Sequence, residues 1–120
     1  MRRLDRPRLR DAIKLLTDEK WSHYEGDDPS TIGWVNPENA PSIKQINAKF
    51  QELNAAEPMR FLREERNRRI AETDWWASSD LLISDDQRKY RQALRDITKT
   101  ADPQLNEFDE LITVTWPEKP

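Results

Sequence analysis

The sequence predicts an α+β fold, mostly α. The expected order is an N-terminal helix, a β-hairpin and a covering helix, then a C-terminal helical hairpin and an extended tail. Three observations carry this. Ser42 with Gln45, and Ser84 with Gln87, have capping-box spacing, and each opens an apolar stripe of helical period. Between Lys20 and Val35 the period shortens around Gly26-Asp27-Asp28-Pro29, as it does in a hairpin. Near the end, Ile112, Val114 and Trp116 alternate with threonines, which suits an extended arm with one apolar face.

The bulk composition sets limits. The chain has 120 residues, of which 35% are hydrophobic and 36% charged. The charged share is well above the usual quarter, so the apolar core is thin and a partner is expected to cover part of the surface. Five tryptophans argue against plain disorder. Residues 1–57 read as a small helix–hairpin–helix module and residues 58–120 as a second unit. A net charge of −3 disfavours a general nucleic-acid binder, which needs a basic face. The absence of cysteine excludes disulfides, thiolate metal sites and a cysteine nucleophile. No apolar run reaches the ~18 residues of a membrane span, and the basic start MRRLDRPRLR is not followed by a signal-type apolar segment. The expectation is a soluble protein without a targeting signal.

In chain order, Arg2, Arg3 and Arg6 form a basic arm, either solvated or turned toward an acidic partner or phosphate. Leu9, Ala12, Ile13 and Leu16 predict a helix over about 8–17. Trp21 to Tyr24 and Thr31 to Val35 predict two strands with Trp21 and Trp34 as cross-strand neighbours. Ile43, Ile46, Phe50 and Leu53 form the stripe of the covering helix, about 42–54. Pro58 then interrupts, because proline disfavours helical geometry in the residue before it.

The next helix, about 58–73, places Met59, Leu62, Arg66 and Ile70 on one face with Phe61 beside it. Glu64 with Arg68, and Glu65 with Arg69, stand four apart in the favourable order. Asp74-Trp75-Trp76 ends this helix. One indole is expected to plug the core and the other to cover a neighbouring surface. Asp74 or Asp80 is the expected acceptor for a buried indole N–H. Trp75 is the nominated anchor, whose truncation costs about 3–5 kcal/mol if it is buried. After a linker containing Leu81-Leu82-Ile83, Tyr90, Ala93, Leu94 and Ile97 give the stripe of a last helix. Arg91 and Arg95 lie outside that stripe. The short connection predicts an antiparallel helix pair. The chain loosens after Ile97, and the closing arm docks on its own domain or on a neighbour by strand addition.

Catalytic chemistry is not indicated. The single histidine, His23, sits on a predicted strand. No His, Asp and Glu cluster has metal-ligand spacing. The two glycines supply no phosphate-cradling loop. Asp27-Asp28 and Asp85-Asp86 occupy a turn and a helix start, where acids belong structurally. No catalytic residue, metal ligand or cofactor is expected.

The run REERNRRIAETDWW, a linker, then YRQALRDI resembles the C-terminal domain of bacteriophage tail assembly chaperone-like proteins. The matching residues are Arg63, Arg66, Arg69, Ile70, Thr73, Asp74, Trp75, Asp80, Tyr90, Arg91, Gln92, Ala93, Leu94, Arg95 and Asp96. Val114-Thr115-Trp116-Pro117 corresponds to the closing segment. The resemblance covers about 58–120. Thr98 stands where relatives commonly carry proline. More weakly, Trp21, Thr31, Ile32, Trp34, Pro41, Ser42 and Ile46 resemble a tryptophan-hairpin pattern of some tailed-phage proteins, with Pro29 in place of that pattern's tyrosine.

The resemblance implies a non-enzymatic protein of tail or tail-fibre assembly that binds a tail, baseplate or fibre protein, or a second copy of itself. A permanent component of the virion tail is the alternative, and a nucleic-acid-binding module is disfavoured. The location implied is the host cytoplasm during assembly, or the virion tail. The residues expected to meet the partner are Arg63, Arg66, Trp75, Trp76, Tyr90, Arg91, Arg95 and Trp116. Aromatics and arginines commonly carry interface energy.

Overall fold

The computed structural model describes residues 5–78 and 82–120. Among these residues helices dominate, with one small antiparallel sheet. The chain divides into two compact units, one ending at Glu57 and the other running from Pro58 to Pro120.

The first unit is built on α1 (Leu9–Leu16) and α2 (Ile43–Ala55), which pack closely against each other. Leu9, Ile13, Ile32 and Ile46 form its core, with Leu16, Trp21, Tyr24, Trp34 and Phe50 packed around them. Ile43, the first member of the predicted α2 stripe, is exposed. Both α2 capping-box bonds are made: Gln45 N–H donates to Ser42 Oγ at 3.1 Å, and Ser42 N–H to Gln45 Oε1 at 2.8 Å. The free N–H groups at the start of α1 are met from the turn: Leu9 N–H donates to Asp27 Oδ1 at 3.0 Å. Asp27 and Gly26 both have positive φ, as a tight two-residue turn between paired segments requires.

The predicted hairpin is only partly formed. Trp21 and Trp34 do face each other in an antiparallel bridge, and Ser22, His23 and Gly33 exchange backbone hydrogen bonds. No continuous strand develops, however, and residues Pro29–Thr31, placed across the predicted turn and second strand, form a short 3-10 turn. Asp28 holds that turn by accepting from Ser30 N–H at 2.9 Å, while Pro29 has no N–H to offer a ladder. The basic arm is also less free than expected. Arg6 Nη2 donates to Asn54 Oδ1 at 3.1 Å, and the guanidinium lies 4.0 Å from Glu57. Arg2 and Arg3 lie outside the described residues.

The predicted break comes at Ala56, between α2 and α3 (Glu57–Glu72). Residues Asp74–Ala77 make a further 3-10 turn. Asp80 and Leu81 of the linker lie outside the described residues. Helix α4 (Asp85–Thr100) is opened by Ser84 and Gln87 with the same reciprocal bonds, at 3.1 and 2.9 Å. It runs past Ile97, where loosening was expected, because Thr98 leaves the backbone hydrogen bonds intact where a proline would break them. Ser84→Ala is expected to cost about 1 kcal/mol in urea unfolding, and Ser84→Asp almost nothing, since either side-chain oxygen caps the helix.

Helices α3 and α4, the expected antiparallel pair, meet through their side chains. They are joined through the large side chains around the end of α3. The sheet consists of β1 (Gln104–Leu105) and β2 (Leu111–Ile112), paired antiparallel. The closing segment, expected as a short strand or extended arm, contributes the two-residue strand β2. Thr113, at positive φ, bends the chain away, and its hydroxyl donates to the Asp102 carbonyl at 2.6 Å.

Candidate functional site

The residues singled out in the C-terminal unit converge on the end of α3. Thr73 is completely buried there. Its hydroxyl donates to the Ile70 carbonyl at 3.0 Å, one of the carbonyls a helix end leaves without an intrahelical donor. Arg91 reaches across from α4. Its Nη1 donates to the same carbonyl at 3.2 Å and to Thr73 Oγ1 at 2.8 Å. Its Nη2 donates to Asp74 Oδ1 at 3.1 Å. The guanidinium fork therefore engages a helix C-terminus, a buried hydroxyl and a carboxylate together, with positive charge at the negative end of the helix dipole.

Beside this clamp lies the aromatic cluster. Trp76, Tyr90 and Leu94 form the core, with Ile70, Ile83 and Trp116 packed against them. The Trp76 and Tyr90 rings are 6.0 Å apart. Trp75 meets the edge of Trp76 at 6.2 Å but stays 63% exposed, whereas Trp76 is 5% exposed. The inward tryptophan is Trp76, and Trp75, nominated as the anchor, is on the surface. Adjacent residues on a tight turn point apart, so only one ring can enter the core. Asp74, a nominated indole acceptor, accepts from Arg91 instead. The closing segment docks on its own unit: the Arg69 guanidinium lies 4.3 Å from the Trp116 ring centre, and Lys119 Nζ lies 5.8 Å from that of Trp76.

The expected partner-contact residues therefore separate. Trp76, Tyr90 and Arg91 are buried inside the unit, and Trp116 is half-buried against it. Trp75, Arg63 and Arg95 face solvent, and Arg66 is intermediate, donating to Asn67 Oδ1 at 2.9 and 3.1 Å. Arg91 lies in the buried face of α4 rather than outside its stripe, because its charge is matched at the end of α3. Thr73, Arg69 and Lys119 were not among the predicted site residues. The Thr-Asp pair at the helix end was the available signal for Thr73, and Lys119 had none.

The outer face of α3 carries ion pairs. Glu65 accepts from Arg69 Nε at 2.9 Å, as its spacing predicted. Glu64 pairs with Arg60 at 2.8 Å rather than with Arg68, which bonds Glu65 and Glu72. The Arg68 hydrogen bond, the largest influence, holds the Glu65 carboxyl below its ordinary range, with Arg69 adding to it. Ser30 does the same for Asp28, and Gln92 followed by Lys99 for Asp96. A carboxylate with a lowered folded pKa stabilises the fold above its unfolded pKa and loses that stability as pH falls through the folded value. Thermal unfolding followed from about pH 6 down to about pH 2.5 should show the midpoint falling through the acid range, less steeply in Glu65→Gln. An identical slope in the variant would remove Glu65 from this account.

Among the described residues no group of His, Cys, Asp and Glu is placed to hold a metal ion, and no helix is long and apolar enough to cross a membrane. Beside α4 lies a groove of about 420 Å³, lined by Ala77, Ile83, Arg88, Lys89, Arg91, Gln92 and Arg95.

No curated protein and no solved structure matches the chain. A family model described as phage tail assembly chaperone protein matches residues 59–120. That span contains the Arg91 clamp, the Trp76–Tyr90 cluster and the docked closing segment, and it is just over half of the sequence. The chain thus belongs to the phage tail assembly chaperone family.

Proposed function

We propose that this protein acts in phage tail assembly, in the host cytoplasm, by non-covalent binding to another tail protein. The family match carries this reading. The arrangement of the C-terminal unit supports it: its aromatic cluster and Arg91 clamp stabilise a small scaffold, while Trp75, Leu82, Arg63 and Arg95 remain outside. Exposed tryptophan and arginine are residue types that interfaces favour. The binding role is non-enzymatic and needs no cofactor. Residues 1–57 act as a separate module on the same chain.

A permanent place in the virion tail or baseplate is the competing reading. Quantitative mass spectrometry of purified virions separates the two. Absence from virions, with co-purification of a tail or fibre protein from infected lysate, is expected. Stoichiometric presence in virions would overturn a transient assembly role.

A further inference from the structure

We infer that the groove beside α4 receives an acidic segment of the partner protein that presents apolar side chains to its floor. This rests on the assembly reading and names the chemistry of the partner. Among the described residues that line the groove, four of seven are cationic and none is a carboxylate. That is a local reversal of sign in a chain whose net charge is −3. Ala77, Ile83 and the aliphatic stems of the basic residues supply the apolar surface.

The four cations are not equivalent. Arg91 is spent on Ile70, Thr73 and Asp74, so it contributes its stem. Arg88 has a long contact of 3.4 Å to Asp85, with both side chains largely solvated, an arrangement that contributes little and exchanges readily. The Asp96 carboxylate accepts from Gln92 and Lys99 and is attracted more weakly by Arg95. Lys89 and Arg95 are exposed and supply the charge available to a ligand. Leu82, next in the chain to Ile83, is fully exposed. Apolar floor and cationic rim together fit an amphipathic acidic peptide. A single-stranded nucleic acid would meet the rim charge but find no aromatic ring among the described lining residues to stack on.

The test is fluorescence anisotropy at low salt with the full chain and four probes. These are a synthetic Glu/Leu amphipathic peptide, its Lys/Leu counterpart, a Glu/Ser version without the leucines, and a random-sequence DNA single strand. The Glu/Leu peptide should bind, and the other three should bind at least about tenfold more weakly. Lys89→Glu/Arg95→Glu should weaken the Glu/Leu peptide by about tenfold or more, and Ile83→Ser should weaken it as well, with unchanged circular dichroism. Lys20→Glu/Lys44→Glu, the same change of net charge on the first unit, should leave binding nearly intact. Amide shifts on titration should centre on Ala77, Ile83 and Gln92. No binding of the Glu/Leu peptide, equal binding of the Lys/Leu or Glu/Ser peptide, preference for DNA, equal loss in the Lys20/Lys44 variant, or shifts centred elsewhere would each overturn the proposal. These readouts use no virion, so the groove can fail while the assembly reading stands, and the reverse.

Discussion

Trp76→Ala should destabilise the protein by about 3–5 kcal/mol, the usual loss when a buried indole is truncated and its neighbours cannot close the gap. Trp76 is 5% exposed and packs on Tyr90 and Leu94, with Trp116 and Ile83 around them. Removing it therefore strips the support from the docked closing segment as well as from the core. Urea unfolding gives the size of the effect, and the near-ultraviolet dichroism of the remaining tryptophans should weaken with it. Trp75→Ala is the control. At 63% exposure it should change stability by no more than about 0.5 kcal/mol. A larger loss for Trp75 than for Trp76 would mean that the assignment of the inward ring is wrong.

Arg91→Met should cost about 2–3 kcal/mol, because it keeps most of the stem but leaves the Thr73 hydroxyl and the Ile70 carbonyl without their charged donor. Asp74 is a smaller part of this cost, since its side chain is largely solvated. Arg91→Lys should recover only a minority of the loss. An ammonium places one charge near the end of α3 but cannot reach Thr73 and Asp74 with a planar fork. If Arg91→Lys were as stable as the parent, charge at the helix end would account for the site and the fork would not. Since the clamp joins the end of α3 to α4, hydrogen exchange in Arg91→Met should rise first at residues 73–77.

Much of the local structure was legible in the residues. The Ser42/Gln45 and Ser84/Gln87 boxes located two helix starts because a capping box is a short-range pattern, complete within four positions. The stripe of α1 and the facing of Trp21 and Trp34 were readable for the same reason. The hairpin strands were overestimated because alternation over four residues cannot tell a ladder from a bridge closed by a 3-10 turn. Arg91 illustrates a different failure. Periodicity treats arginine as a surface residue, yet this one is 8% exposed, since acceptors some twenty positions away in sequence are brought to it.

By itself the sequence determined the helix starts, the absence of thiol chemistry and the pattern that marks the C-terminal half as belonging to the tail assembly chaperone family. Each is a matter of neighbouring residues or of composition. Tertiary structure alone decided which of two adjacent indoles is core, which arginine is a buried clamp and which is exposed, and where the closing tryptophan docks. Those outcomes depend on burial, and burial is set by residues that meet only after the chain has folded.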